Sequence, residues 1–266
     1  MLFCSASAIK HSHFPGSFRT FLSFSDVASL LHFFCFPCNT IPKSTLLNLL
    51  SGMLQPESGK IFLFGQPLTP ELRCHMGYML QDDQLLEWRS IYKNVILGLE
   101  VRHQLTEQTK AYARTLLDNY GLLAFADARP SQLSGGMRQR AALVRTLVLK
   151  PDLLFLDEPF SALDYQTRLS AGNDIGTIIR SEKKTAILVT HDLSEAVSLA
   201  DRILILSKRP GKIQKIISID MPKEFTPMQR RGADTFKYYF NLIWKELNHE
   251  QESFQAGTIP ETTAQT

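Results

Sequence analysis

The run Leu153-Leu154-Phe155-Leu156, followed by Asp157-Glu158-Pro159, constrains this chain more than any other feature. Apolar residues in unbroken sequence belong to a strand buried on both faces, and such strands lie in parallel sheets covered by helices on either side. Two acids then stand at the carboxyl end of that strand, the edge where open α/β sheets bind ligands. Successive residues at a strand end diverge, so the acids can differ in role. One can hold Mg2+ through its carboxylate while its neighbour takes a proton from an attacking water. By itself the string also fits a strand end capped by solvated acids.

The remaining chain alternates in the same sense. Lys43 to Met53 carries Leu46, Leu47, Leu49, Leu50 and Met53 at helical spacing and ends in the turn Gln55-Pro56-Glu57-Ser58-Gly59. Strands are expected at Lys60 to Phe64, Met76 to Leu80, Asp152 to Leu156 and Thr185 to Thr190. Residues 90 to 149 read as largely helical, including Ile91 to Val101 and Glu107 to Tyr120, and further helices are expected at Gln166 to Arg180 and Leu193 to Ala200. A hairpin-like pair, Arg202 to Ser207 and Lys212 to Asp220, joins at Arg209-Pro210-Gly211. The alternation predicts an α/β fold in three layers with a mainly parallel sheet, plus a helical subdomain over about 82–150. A last helix over 226–248 carries the stripe Phe236, Tyr239, Phe240, Ile243, Trp244 and Leu247, which is expected to pack on the core. The polar tail 249–266 reads as disordered.

Composition excludes several classes. The 266 residues hold 29 Lys+Arg against 26 Asp+Glu, and the resulting +3 is spread along the chain, which gives no basic surface for nucleic acid. The longest apolar candidate, Phe21 to Cys38, carries Asp26 and His32 and so does not read as a membrane span. Four cysteines are too few for a disulfide framework and point to an intracellular chain. Residues 1–42 stand apart: they hold eight of the 17 phenylalanines, three of the four cysteines and a single acid, Asp26. Their interrupted apolar residues lack the layout of a signal peptide. Cys35 and Cys38 form a C-x-x-C without a second pair, which reads as two incidental thiols.

A second motif lies upstream of the acidic strand. Leu133-Ser134-Gly135-Gly136-Met137, followed by Arg138-Gln139-Arg140, puts a serine and two glycines at a helix start, an arrangement that leaves backbone N–H groups for phosphate oxygens. With Leu153 to Asp164 following it, residues 43–220 resemble the nucleotide-binding subunit of ATP-binding cassette (ABC) transporters. The resemblance implies a P-loop NTPase-like fold, with ATP and Mg2+ as cofactors. It makes Asp157 the metal-associated Walker B acid and Glu158 the base that polarises the hydrolytic water. It makes His191, after Ile187-Leu188-Val189-Thr190, the switch histidine at the γ-phosphate. Gln81, after Gly77-Tyr78-Met79-Leu80, matches the Q-loop glutamine that senses metal and water. Ser161-Ala162-Leu163-Asp164 matches the D-loop, and Ser134, Gly135, Gly136 and Asp164 are assigned to nucleotide contact across a head-to-tail pair of subunits. Lys43, Ser44 and Thr45 are matched to the end of the phosphate loop, with Ser44 also on Mg2+.

The loop before Lys43 departs from that family. Its glycines should let consecutive N–H groups turn around the phosphates, yet this chain has Pro37-Cys38-Asn39-Thr40-Ile41-Pro42. Two prolines offer no N–H and hold φ near about −65°, so weak nucleotide binding is expected. Residues 1–42 are accordingly expected to replace the usual first strands and phosphate loop, as a frame disruption would, with an ATPase domain over 43–225. Two readings stand: an ATP-hydrolysing importer subunit, and a defunct or binding-only subunit of the same fold. Leu85-Leu86-Glu87-Trp88-Arg89 and Ser207-Lys208-Arg209-Pro210-Gly211-Lys212-Ile213 resemble segments of importers for nitrate, sulfonate or taurine. The partners implied are permease transmembrane subunits, a second copy of this chain and, indirectly, an extracytoplasmic solute-binding protein, with no nucleic acid. The implied place is the cytoplasmic face of the membrane.

Overall fold

The computed structural model describes residues 3–7, 17–20, 31–35, 43–206 and 213–255, with side chains described over 45–206 and 213–248. Strands β1 (Phe3–Ser7), β2 (Ser17–Thr20) and β3 (Leu31–Cys35) precede helix α1 (Lys43–Leu50). Next come β4 (Lys60–Leu63), β5 (Gln66–Pro67) and β6 (Met76–Met79), followed by α2 (Ile91–Val95), α3 (Leu97–Val101), α4 (Glu107–Asn119) and α5 (Gly135–Leu147). The second half runs β7 (Leu153–Asp157), α6 (Tyr165–Ser181), β8 (Thr185–Thr190), α7 (Leu193–Leu199), β9 (Arg202–Leu206), β10 (Ile213–Ser218), α8 (Pro227–Gly232) and α9 (Asp234–Gln255).

Among the described residues one sheet has the order β10-β9-β3-β8-β7-β6, parallel throughout except for β10, and a smaller antiparallel sheet has the order β2-β1-β4-β5. Period-two alternation along buried strands splits the core. Leu153, Phe155, Ile187, Val189, Leu204 and Leu206 face α1 and β4, where they meet Leu47, Leu50, Ile61 and Leu63. Leu154, Leu156, Ala186, Leu188, Ile203 and Ile205 face the other way, into the cluster formed with α5, α6, α7 and α9. Every residue of β7 is buried, as its unbroken apolar run requires.

Three expectations need correction. Residues 1–42 do not lack strands: β3 sits inside the main sheet between β8 and β9, and β1 pairs with β2 and β4. The last helix is in fact two, because Thr226 and Gln229 form a capping box with Pro227 at the first position, and the chain breaks at the extended Ala233 before α9. The polar tail does not begin at 249, since α9 runs to Gln255. Within α9, Ile243 is buried, Phe236, Tyr239, Phe240 and Leu247 pack on the core, and Trp244 stands exposed. The Cys35–Cys38 pair, the turn Arg209-Pro210-Gly211 and residues 256–266 lie wholly or partly outside the described residues.

Candidate functional site

Four strands end level with one another. Asp157 of β7 pairs with Val189 of β8, Thr190 pairs with Cys35 of β3, and Met79 of β6 pairs with Leu156. The carboxyl ends of β3, β6, β7 and β8 therefore lie along one edge of the sheet, and Gln81, Glu158 and His191 follow three of them. β3 precedes α1 in the chain, with the segment 36–42 between them. Pro37 to Pro42 lie outside the described residues, as do the side chains of Lys43 and Ser44; Thr45 is half-buried in the first turn of α1.

Asp157 is buried at the strand end, with the Tyr78 hydroxyl 3.4 Å from its Oδ2. Burial, and next the Asp157 charge, push the Tyr78 phenol up from its ordinary value, so it stays a neutral donor to that carboxylate. Glu158 then takes φ +45°, a left-handed conformation that costs a non-glycine residue about 1 kcal/mol. Three bonds hold it there. Its N–H donates to Val189 O at 2.8 Å, and its carbonyl accepts from Ser161 N at 3.2 Å and Ser161 Oγ at 3.0 Å. The turn sends Glu158 out of the sheet, away from the direction of Asp157, to meet His191 with Nδ1 3.2 Å from Oε2. Gln81 joins through Ser161: its amide nitrogen donates to Ser161 Oγ at 3.2 Å.

The signature residues form a second cluster. Ser134 caps α5 by accepting from Met137 N at 3.3 Å, and Asp164 caps α6 by accepting from Thr167 N at 3.1 Å. Hydrogen bonds from Thr167 hold the Asp164 carboxyl below its usual range. A Cβ at Gly135 would sit 2.8 Å from Leu163 Cδ2, so a side chain there would make Leu163 shift. The segment 161–164 thus touches both groups: Ser161 reaches Gln81 and Glu158, and Leu163 reaches Gly135. Ser134, Gly135, Gly136 and Asp164 are not among the residues bonded to Asp157, Glu158 or His191 in the described contacts.

Several contributors escaped the sequence reading. Arg138 joins the helix of the signature to the segment after Gln81, with Nε 3.0 Å from Asp83 Oδ2, and Arg145 donates to Asp83 O at 2.7 Å and Gln84 O at 2.6 Å. Asn94 is fully buried and clamps the same loop, accepting from Leu86 N and donating to the carbonyls of Leu86, Arg89 and Ser90. Trp88 is consequently held 73 % exposed. Arg89 turns back onto the molecule, with Nη2 paired to Glu100 Oε2 at 2.6 Å. Thr190 and Glu195 belong here too, and their only sequence signal is an acid in the first turn after a buried strand.

The donor set suits a hard cation. Asp157 supplies a carboxylate and Gln81 an amide oxygen. No three His, Cys, Asp or Glu side chains converge on a metal position among the described residues. Such a sparse set fits Mg2+, which keeps waters and takes phosphate oxygens, and does not fit an ion needing a full protein cage.

The ABC transporter family profile matches residues 39–161. The chain is 43% identical over 246 residues to an uncharacterised ABC transporter ATP-binding protein, YtlC, of Bacillus subtilis, covering 91% of this chain and 89% of that one. That match is longer than the stretch from Lys43 to Thr266, so it runs into the segment before Lys43. A nitrate import ATP-binding protein, NrtD, of Synechocystis is 39% identical over 220 residues, 80% of this chain and 82% of that one. Among solved structures, cbiO1 of Clostridium perfringens, described as part of an ABC transporter complex, superposes with a TM-score of 0.65 at 24% identity, over 85% of this chain and 88% of that one, which speaks for the fold. With this similarity spanning nearly the whole chain, and with the acidic strand, the signature and the histidine in one architecture, the protein belongs to the ABC transporter family and is an ATP-binding subunit of it.

Proposed function

We propose that this chain binds ATP with Mg2+ and hydrolyses it to power the import of a small anion such as nitrate, sulfonate or taurine. The contact of Glu158 Oε2 with His191 Nδ1, beside the buried Asp157, is the observation that carries this reading. When bound, Mg2+ would offset negative charge on the phosphates. Asp157 would hold the metal, with Gln81 and Ser44 completing the protein's share of its ligands. Glu158 accepts the proton of the attacking water at its carboxylate. His191, with Nδ1 turned to Glu158, keeps that carboxylate in place and has Nε2 available toward the γ-phosphate. Lys43, Ser44 and Thr45 meet the phosphates at the start of α1.

Ser134, Gly135, Gly136 and Asp164 serve the nucleotide of a second copy of this chain, a reading that rests on the signature and D-loop residues being kept. Permease subunits would dock on the loop that presents Trp88, placing the chain at the cytoplasmic face of the membrane and linking it indirectly to a solute-binding protein. No described helix is long and apolar enough to cross a membrane. The segment Leu85 to Arg89 and the nitrate-import relative support the solute class. A defunct subunit is not favoured: the paired acids, the histidine and the signature are all present, and a strand of the main sheet, β3, precedes α1.

Phosphate release by the wild-type chain and by Glu158→Gln is the test, with a fluorescent ATP analogue reporting binding. The variant should lose about 100-fold or more in turnover while still binding, since an amide cannot take the proton. Parental turnover in Glu158→Gln would remove Glu158 as base. A wild-type chain that binds no nucleotide would return the protein to the defunct class.

A further inference from the structure

His191 is the single residue between the last residue of β8 and the cap of α7, and what lies on either side of it is tied to a buried carboxyl. Thr190 is 2 % exposed and Glu195 is 4 % exposed. The Thr190 hydroxyl donates to Glu195 Oε2 at 2.6 Å and accepts from Asp192 N at 3.0 Å. Asp192 in turn caps α7, accepting from Ser194 N at 2.7 Å and Glu195 N at 3.2 Å through Oδ1. A carboxyl, a hydroxyl and an amide thus form a closed relay that bridges the peptide units around His191. An ordinary helix cap needs only Asp192. Nothing in capping calls for a glutamate buried behind the strand, where removing a carboxyl from water is costly unless a partner repays it. The ring it frames is half exposed and meets Glu158.

We propose that Thr190 and Glu195 are positioning residues for His191: through the carboxyl–hydroxyl–amide relay they hold the backbone on both sides of it so that its imidazole stands against the Glu158 carboxylate. The proposal rests on the reading of Glu158 and His191 as the hydrolytic pair, but the relay itself is testable without turnover. Thr190→Val keeps the β-branched shape and removes the hydroxyl, whereas Thr190→Ser keeps it. Glu195→Ala removes the acceptor, whereas Glu195→Gln keeps an oxygen at that place.

Two readouts separate the possibilities. In the nucleotide-free protein, the ring Hε1 signal of His191, assigned by its loss in His191→Ala, should move when Glu158→Gln is introduced, because the two side chains touch. With an intact relay, as in wild type, Thr190→Ser or Glu195→Gln, that response should persist; in Thr190→Val and Glu195→Ala it should shrink severalfold. An undiminished response in both disrupted variants, folded by their melting transitions, overturns the proposal. In steady-state hydrolysis the disrupted variants should lose about 10- to 100-fold in kcat with little change in KM, since a misplaced group costs rate more than binding. Neither should add to the loss already caused by His191→Ala, because residues acting through one another are not additive. Full additivity, or no rescue by Thr190→Ser, counts against the relay. If His191→Ala itself leaves turnover intact, the hydrolytic reading fails, and the NMR response still decides the relay. Should one disrupted variant fail to fold, the other, through the opposite end of the same bond, decides the matter.

Discussion

Glu195 shows how a single buried acid writes itself into the pH dependence of the fold. Burial pushes its carboxyl up to about 7 from the ordinary 4.5, against the opposing effect of the Thr190 hydroxyl. Asp192 also raises it, while Arg168 of α6 and Arg231 of α8 lower it. The folded chain therefore binds this proton more tightly than the unfolded chain does. Its contribution to stability is fully present below about pH 4.5 and is lost as pH rises toward about 7, a change on the order of 3 kcal/mol. Glu195→Gln carries no such proton, so urea unfolding should show the variant gaining on wild type by that order between pH 5 and 7 (about two units). Parallel pH profiles for the two proteins would show that Glu195 titrates as a solvated acid. The strained φ of Glu158 belongs to the same scale: the bonds from Ser161 and to Val189 hold a conformation that the residue alone would avoid.

Strand β6 is the element on which the Gln81 side of the site depends. Its four residues lie at the edge of the main sheet, paired only with β7 among the described strands, and carry both Tyr78 toward Asp157 and the chain onward to Gln81. α5 crosses this strand closely because residue 77 has no side chain. A Cβ at Gly77 would fall 2.4 Å from Thr146 Cγ2, 3.0 Å from Leu154 Cδ2 and 3.1 Å from Pro151 Cγ. Gly77→Ala should therefore push β6 from α5 and destabilise the protein by about 1–3 kcal/mol, as overpacking does elsewhere. Chemical denaturation measures this directly. A melting midpoint at or above the wild-type value would mean that Thr146 and its neighbours yield without cost.

At the scale of the whole molecule, polar contacts of the helical region converge on the loop after Gln81, which continues from β6 of the sheet. Arg138 and Arg145 of α5 grip it from one side and Asn94 of α2 from the other, and Trp88 is the large apolar residue it leaves in solvent. A docking role for this loop predicts that Trp88→Ala changes stability by no more than about 0.5 kcal/mol, as exposed positions do, while abolishing recovery of the chain with membranes that contain its permease subunits. Retention on those membranes at wild-type level would sink the docking role. Farther away, Arg230 is wholly buried and donates to Ala200 O at 2.7 Å and Asp201 Oδ1 at 2.9 Å, with Arg180 on the same carboxylate, so α8 is locked to α6 and to the corner before β9.

The sequence by itself determined the parts whose signal is local. Unbroken apolar runs announced β7 and β8, helical spacing announced α1, α6 and α7, and the order of the signature, the two acids and His191 announced the ATP-binding family. Thr226-Pro227-Met228-Gln229 was equally legible as a helix start, and reading it would have separated α8 from α9. The tertiary structure alone decided the rest, because those features depend on which side chains packing brings together, some near in the chain and others far. Composition concealed the strand Leu31–Cys35, whose place between β8 and β9 follows from the pairing of segments more than a hundred residues away. Spacing could not reveal that Ser161 links Gln81 to Glu158, that Arg89 turns inward to Glu100, or that Glu195 lies behind the residue before His191. Hydrogen bonds between side chains are short and directional, and only the packed chain brings their two ends within 3 Å or so of each other.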